Sequence, residues 1–231
     1  MNRENLQEWI RRNFVPVIAG TAIALILFLG IRYIVNLLNR PAPAPAKPAH
    51  EKAEDPDAIH YLVVHHSVSG WGSGAAVVEW HTGPPPHRNW DLPGYHAVIG
   101  NGYPTKEAWK KRAYDPSEDG KVDRIVSESL RVNGVRFGNK NALQVCLIGD
   151  LDRRDPTEKQ MAALINLLTH WCIKYGLDPR TAILGHGEMQ ERIGLEGYSK
   201  TCPGKRVDMD AVRAAVLTKV IQRLLPRGMQ R

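Results

Sequence analysis

Cysteine is scarce in this sequence of 231 residues, which contains only Cys146, Cys172 and Cys202. So small and odd a number excludes a fold that depends on a disulfide framework. The sequence also lacks internal repeats, nucleic-acid-binding motifs and a Gly-rich phosphate loop between a strand and a helix. We therefore expect neither a repeat protein nor a nucleic-acid partner.

The composition is that of a globular protein, with 43% hydrophobic and 24% charged residues. The formal net charge is +7, and residues 58–231 by themselves keep a surplus of six basic side chains. A basic surface favours an anionic partner such as nucleic acid, a membrane surface or a cell-wall polymer. Charge alone does not choose among these three, but the lack of a nucleic-acid-binding motif argues against the first.

One long apolar segment lies near the N-terminus. Residues 14–30 contain no charged side chain, and residues 31–38 extend the segment with Arg32 as its one interruption. At 1.5 Å per helical residue, residues 14–38 exceed the roughly 30 Å of a bilayer core. We expect a retained transmembrane anchor at 14–38 after a short cytoplasmic segment at 1–13. The alternative is a signal peptide cleaved near Ala46, although its apolar region is typically only about 7–15 residues.

Residues 39–57 are rich in proline, alanine and charge, which favours an extended linker without a core. Residues 58–231 alternate apolar runs with helical patterns and predict a mixed α/β domain, in which helices flank a central mixed β-sheet. The helical patterns cover Gly74–His81, Asp155–Tyr175 with Asp155 as its cap, and Asp208 to before Pro226. The predicted strands are Ile59–His65, His96–Ile99, Lys121–Val126, Leu143–Gly149 and Ala182–His186.

Polar residues end two of these predicted strands. His65 and His186 each follow an apolar run, and Cys202 lies in a loop punctuated by proline and glycine. Two imidazoles and a thiolate are ligands that Zn²⁺ takes, and three protein ligands leave a fourth position for water. His65 and His66 point to opposite faces of one strand, so only one of them can join such a site. Their spacing does not show that these side chains converge, and hydrogen-bonded structural histidines are the alternative.

Six short motifs follow one another along the domain: VVHHS at 63–67, GYHAVIGNG at 94–102, NALQVCLIGD at 141–150, PTEKQMAAL at 156–164, ILGH at 183–186 and KTCPG at 200–204. In this order they resemble those of the zinc-dependent N-acetylmuramoyl-L-alanine amidases, which share a fold with phage lysozyme-type amidases and peptidoglycan recognition proteins. The resemblance covers roughly Ala58 to Val220. It implies that His65, His186 and Cys202 bind Zn²⁺.

The same resemblance implies that Tyr95 and Lys200 are the catalytic pair that stabilises charge near the metal. Residues 103–120 depart from the compact phage enzymes as an insertion, and its Trp109 is a candidate for contact with substrate. Trp90 and His96 are further candidates near the cleft. Cys146 and Cys172 are expected to be buried and inert. Rival metal ligands close to the site in sequence are His66, His81, His87 and His96.

The function implied by the resemblance is hydrolysis of the amide between N-acetylmuramic acid and L-alanine of the peptidoglycan stem peptide. Peptidoglycan lies outside the inner membrane, so we expect a single-pass protein of that membrane with its catalytic domain on the periplasmic side. The positive-inside rule does not decide the orientation, because three Lys or Arg residues flank each end of the span. The alternatives are a non-catalytic peptidoglycan-binding receptor and a phage endolysin with a signal-anchor segment. Oligomeric state stays open.

Overall fold

The computed structural model describes residues 59–195 and 201–225. Two units divide the described residues: residues 59–195 and 201–219 belong to one, and residues 220–225 at the end of the last helix belong to the other. Within the described ranges no helix combines the length and the apolar character that a membrane span requires. The predicted anchor and linker, together with Lys200, lie outside these ranges.

The domain contains five strands and six helices among the described residues, and this confirms the mixed α/β fold with a central mixed sheet. The strands are β1 (Tyr61–His66), β2 (Ala97–Asn101), β3 (Asp119–Arg124), β4 (Ala142–Leu147) and β5 (Ile183–Gly185). The helices are α1 (Gly74–Thr82), α2 (Lys106–Lys110), α3 (Glu158–Tyr175), α4 (Pro179–Ala182), α5 (His186–Arg192) and α6 (Met209–Leu224).

The sheet has the strand order β3-β2-β4-β1-β5. Strand β1 lies parallel to β4 and β5, β2 lies parallel to β4, and β3 is the antiparallel edge strand. His65 is paired with Cys146, and Val63 with Gln144. Because paired residues of parallel strands project to the same face, these four side chains share one face of the sheet, and His66 belongs to the other. The carboxyl ends of β1 and β5 also meet at one edge.

Both faces of the sheet are covered, which explains why its parallel strands read as nearly continuous apolar runs. On the face of His65, Val98 packs with Val77 of α1, and Val63 packs with Met189 of α5. Helix α3 contacts β2 and β3. The apolar stripe that α3 buries consists of Leu164, Leu167, Leu168, Trp171 and Cys172.

Helix α3 begins later than the sequence predicts. The cap is Thr157 rather than Asp155, because Thr157 Oγ1 accepts from the Gln160 N–H at 3.0 Å while Gln160 Oε1 accepts from the Thr157 N–H at 3.2 Å. This reciprocal pair satisfies two amide groups that the first turn leaves without helical partners. Thr157 is also tied to the sheet, since its hydroxyl donates to Asp119 at 2.6 Å.

Three short helices, α2, α4 and α5, were not predicted, because four to seven residues carry too little periodicity to be recognised. The predicted strand Ala182–His186 is shorter in the structure. Its last residue, His186, is the first residue of α5. Gly185 caps this helix, and its N–H donates to the Glu188 carboxylate at 2.7 Å. The predicted end of the strand is therefore a tight turn from strand to helix. This turn places the His186 ring next to that of His65.

Candidate metal centre

Three side chains that are distant in sequence converge at the edge where β1 and β5 end. The ligand atoms of His65, His186 and Cys202 all lie within 4.8 Å of one another. The rings of His65 and His186 have centroids 4.7 Å apart, and Cys202 Sγ lies 3.8 Å from His65 Nδ1. The sequence names these residues, and the parallel pairing of β1 with β5 brings the two histidines together.

Cys202 reaches the site because its loop is fastened at several points. The Cys202 carbonyl accepts from the Gly187 N–H at 3.0 Å, which joins the loop to the start of α5. Thr201 Oγ1 donates to Asp152 at 2.7 Å, and the Lys205 N–H donates to the same carboxylate at 3.0 Å. These bonds hold the Cys202 backbone on both sides of the thiol.

The donor set fits the metal that the resemblance implies. Two imidazoles and one thiol are ligands of Zn²⁺, and three such groups leave one tetrahedral position for water or substrate. His65 is 1% exposed and His186 is 8% exposed. Burial restricts the rotamers of the two rings, so this cluster can hold a metal ion in a defined geometry.

The rival histidines are engaged elsewhere. His66 Nδ1 accepts from the Leu151 N–H at 3.0 Å on the opposite face of the sheet, and burial lowers the pKa of His66. His87 Nε2 lies 3.8 Å from a Glu79 carboxylate oxygen. Neither residue belongs to the convergent cluster.

His81 and His96 are likewise outside the cluster. His81 Nδ1 accepts from the Gly94 N–H at 3.0 Å, and burial, reinforced by Arg88, lowers the pKa of His81 to about 4. His96 uses both ring nitrogens: Nδ1 accepts from the Gln144 N–H at 3.0 Å, and Nε2 lies 2.9 Å from the Leu130 carbonyl. Both imidazoles fix the backbone around the site.

Tyr95 lies directly beside the candidate ligands. Its ring centroid is 4.9 Å from that of His65 and 5.3 Å from that of His81. Burial raises the pKa of Tyr95 well above its usual range, and the neighbouring Cys146 and Cys202 thiols raise it further. The hydroxyl therefore stays protonated at neutral pH, and the Cys146 thiol is a hydrogen-bond partner of it.

A cleft of about 1340 Å³ opens over this cluster. His186 and Cys202 lie in its wall beside Tyr95. Two basic side chains, Arg88 and Arg136, also line it. The arrangement places two potential metal ligands, a phenolic donor and positive charge along one solvent-accessible groove.

The three residues expected to contact substrate have different positions. Trp90 lines the cleft, with its ring 5.0 Å from His81 and the Arg88 guanidinium 4.8 Å above it. Trp109 instead packs against Tyr103, with ring centroids 5.0 Å apart, and does not line the cleft. His96 is 2% exposed and also lies away from the cleft. Aromatic packing engages the Trp109 ring and hydrogen bonds engage the His96 ring, and contact of either residue with substrate stays a prediction.

Sequence reasoning missed Gln144, which is fully buried and lies 2.7 Å from the His65 ring. Cys146 is buried, as the sequence predicts, and it is in addition a hydrogen-bonding neighbour of Tyr95. The available signal was the strand itself: Gln144 is the single polar residue among the six of β4. A buried amide in a parallel strand needs a partner, and that partner is the metal-ligand candidate.

The family of N-acetylmuramoyl-L-alanine amidases matches residues 55–205. This match covers more than half of the chain, so the chain belongs to that family. Among curated proteins none matches the chain at a significant level.

Solved structures share the fold. The endolysin amidase LysCS from Clostridium intestinale is 20% identical, with a TM-score of 0.51 over 68% of this chain and 82% of that one. LysC from the same organism is 18% identical, with a TM-score of 0.51 over 76% and 97%. The Ph2119 endolysin, from a Thermus scotoductus bacteriophage, is 18% identical, with a TM-score of 0.50 over 78% and 95%. At these identities the likeness concerns the fold alone.

Proposed function

We propose that this protein is a zinc-dependent N-acetylmuramoyl-L-alanine amidase that hydrolyses the amide between N-acetylmuramic acid and L-alanine in peptidoglycan. The observation that carries the proposal is the convergence of His65, His186 and Cys202 within 4.8 Å of one another beside Tyr95. Membership of the amidase family supports the same reaction. The basic side chains in the cleft suit an anionic wall polymer.

In this proposal His65, His186 and Cys202 hold the metal. Zinc, when bound, supplies a Lewis acid that makes water acidic enough to attack at neutral pH and polarises the scissile carbonyl. A thiolate ligand places more negative charge on the metal than a third imidazole would. Donors supplied by the protein next to the substrate carbonyl therefore matter more in this site.

Tyr95 is proposed as such a donor. Its protonated hydroxyl can donate a hydrogen bond to the carbonyl oxygen as that oxygen gains negative charge in the transition state. Since burial keeps the pKa of Tyr95 high, the donor persists throughout the neutral range. Lys200, which lies outside the described residues, is proposed from the family resemblance as a second cationic donor.

Digestion of purified peptidoglycan tests the reaction. Full-length protein should release free stem peptides, identified by mass analysis, in the presence of zinc and not after treatment with a chelator. Cys202→Ser should abolish the release, whereas Cys172→Ser, which alters a thiol of α3 outside the convergent cluster, should not. Tight binding of the wall without release by the wild type would instead support the receptor.

We further propose that residues 14–38 anchor the enzyme in the inner membrane with residues 41–231 outside. The segment from Pro41 to Asp57 is 17 residues long, and at about 3.1 Å per extended residue it reaches about 50 Å. The domain would then act on wall close to the membrane. Protease added to spheroplasts should digest the catalytic domain. Protection until lysis would contradict this topology, and release of soluble domain without protease would indicate cleavage near Ala46.

A further inference from the structure

A row of hydrogen bonds connects the backbone of the 132–139 loop with the ring of His65. The Val135 N–H donates to Asn139 Oδ1 at 2.7 Å, and Gln144 Nε2 donates to the same oxygen at 2.8 Å. At the other end of that amide, Gln144 Oε1 lies 2.7 Å from His65 Nε2. Gln144 is fully buried, so solvent does not compete for these bonds.

The direction of every bond in this row follows from its first member. A backbone N–H can only donate, so the Asn139 atom that it meets must be the amide oxygen. That oxygen can only accept, so Gln144 must turn its NH₂ group towards Asn139 and its own oxygen towards His65. Because an amide oxygen also only accepts, His65 Nε2 must carry the proton. The Val135 N–H cannot become an acceptor, so it fixes the direction of the whole row and with it the tautomer of His65.

We propose that Gln144, oriented by Asn139, is a positioning residue that holds His65 in the tautomer with its proton on Nε2 and its Nδ1 lone pair towards the metal. The geometry agrees, since Nδ1 is the ring atom that faces Cys202 Sγ, at 3.8 Å. Metal-binding histidines generally donate their other ring N–H to a fixed acceptor, and loss of that acceptor weakens metal binding. The inference rests on the proposed metal site and adds to it a residue that does not touch the metal.

A glutamine has a physical advantage over a carboxylate here. It accepts from Nε2 without adding a negative charge to a site that already contains a thiolate ligand. It can also donate onwards, which lets Asn139 set its orientation. The backbone of Gln144 is fastened as well, because its N–H donates to His96 Nδ1 at 3.0 Å.

The row also links the metal ligand with the substrate side of the domain. Asn139 and Gly134 both line the cleft. Gly134 packs so closely on Gln144 that a Cβ at this position would overlap the Gln144 amide oxygen. The 132–139 loop, which borders the cleft, is therefore connected to His65 through the buried amide of Gln144.

Two measurements on full-length protein test the proposal. In metal-free protein at about pH 8, where histidine is largely neutral, long-range ¹H–¹⁵N spectra should show His65 protonated on Nε2. Gln144→Met, of similar volume but with only a weakly accepting sulfur in place of the amide oxygen, should lose this preference. Its dissociation constant for zinc, measured by chelator competition, should rise by about 10- to 100-fold.

Matched variants separate positioning from folding. Gln160→Met makes the same substitution in a buried glutamine whose amide donates to the Ile99 and Ile148 carbonyls, away from the metal ligands, so it should leave zinc affinity unchanged. Asn139→Asp keeps the acceptor oxygen and should keep the His65 tautomer. Asn139→Leu should lose part of the tautomer preference and part of the zinc affinity. Because Asn139 is a half-buried loop residue, its variants still test the role of Gln144 if Gln144→Met fails to fold.

A wild-type His65 protonated on Nδ1 would overturn the inference, as would an unchanged tautomer and zinc affinity in the Gln144 and Asn139→Leu variants. Failure of the wild type to bind zinc would instead contradict the proposed function. Even then the spectra of metal-free protein would show whether Gln144 sets the tautomer.

Discussion

Sγ of Cys202 lies 3.8 Å from Nδ1 of His65, although 137 residues separate them in the sequence. This contact joins a loop before the last helix with the end of the first strand. We predict that Cys202→Ser lowers zinc occupancy and removes activity, because a neutral hydroxyl is a far weaker zinc ligand than a thiolate. Metal analysis of the purified variant measures the loss.

The other two cysteines supply controls. Cys172 lies on α3, and Cys146, although close to Tyr95, is not one of the converging ligands. Serine at either position should leave occupancy high. Full occupancy in the Cys202 variant, or equal losses in all three, would contradict the ligand assignment.

Tyr95→Phe should keep zinc and reduce turnover. It removes one hydroxyl beside the ligands, and loss of a single oxyanion donor typically costs about 10²–10³ in kcat. Steady-state kinetics on a muropeptide, together with metal analysis, test both halves of this prediction. A wild-type kcat would show that the tyrosine serves only in packing.

Glu128 should contribute to stability in a pH-dependent way. Burial acts to raise the pKa of Glu128, but hydrogen bonds from Lys174, Trp171 and Tyr175 outweigh it and lower the pKa to about 2. A lowered pKa means that the contribution is complete above the unfolded value near 4.5 and is lost as pH falls towards 2. Glu128→Gln should destabilise the domain by about 2 kcal/mol at neutral pH.

Urea unfolding of the wild type and of Glu128→Gln between about pH 7 and pH 2 measures this contribution. The difference between the two proteins should shrink on acidification below about pH 4.5. A difference that stays constant with pH would show that the charge of Glu128 adds nothing beyond its shape.

Gln190 lines the cleft with an amide oxygen that has no hydrogen-bond partner among the described protein groups. It is 2% exposed, and an unsatisfied buried acceptor costs about 1–3 kcal/mol. Gln190→Met should therefore raise the unfolding free energy by about 1 kcal/mol.

The same substitution at Gln160 provides the contrast, since Gln160 also caps α3 and donates to the Ile99 and Ile148 carbonyls. Gln160→Met should lower stability. Thermal melting should show a higher Tm for Gln190→Met and a lower Tm for Gln160→Met than for the wild type. A lower Tm for both variants would refute the interpretation of Gln190.

The sequence determined which residues are candidates and which class of domain carries them. The apolar runs before His65 and His186 predict strands, and the five observed strands overlap the predicted ones. The loop of Cys202, punctuated by proline and glycine, and the ordered motifs indicate zinc amidase chemistry without any coordinates. Local patterns predict strands and helices because each element has a characteristic spacing of apolar residues that are close in sequence.

Only the tertiary structure decided which of these residues act together. The placement of β1 between β4 and β5 brings His65 next to His186 and gives its ring a partner in Gln144. It also separates His66 and His96 from the three converging side chains, although both histidines lie in the motifs that suggested them as ligands. Strand order and register depend on contacts between residues far apart in the chain, and local periodicity carries no information about those contacts.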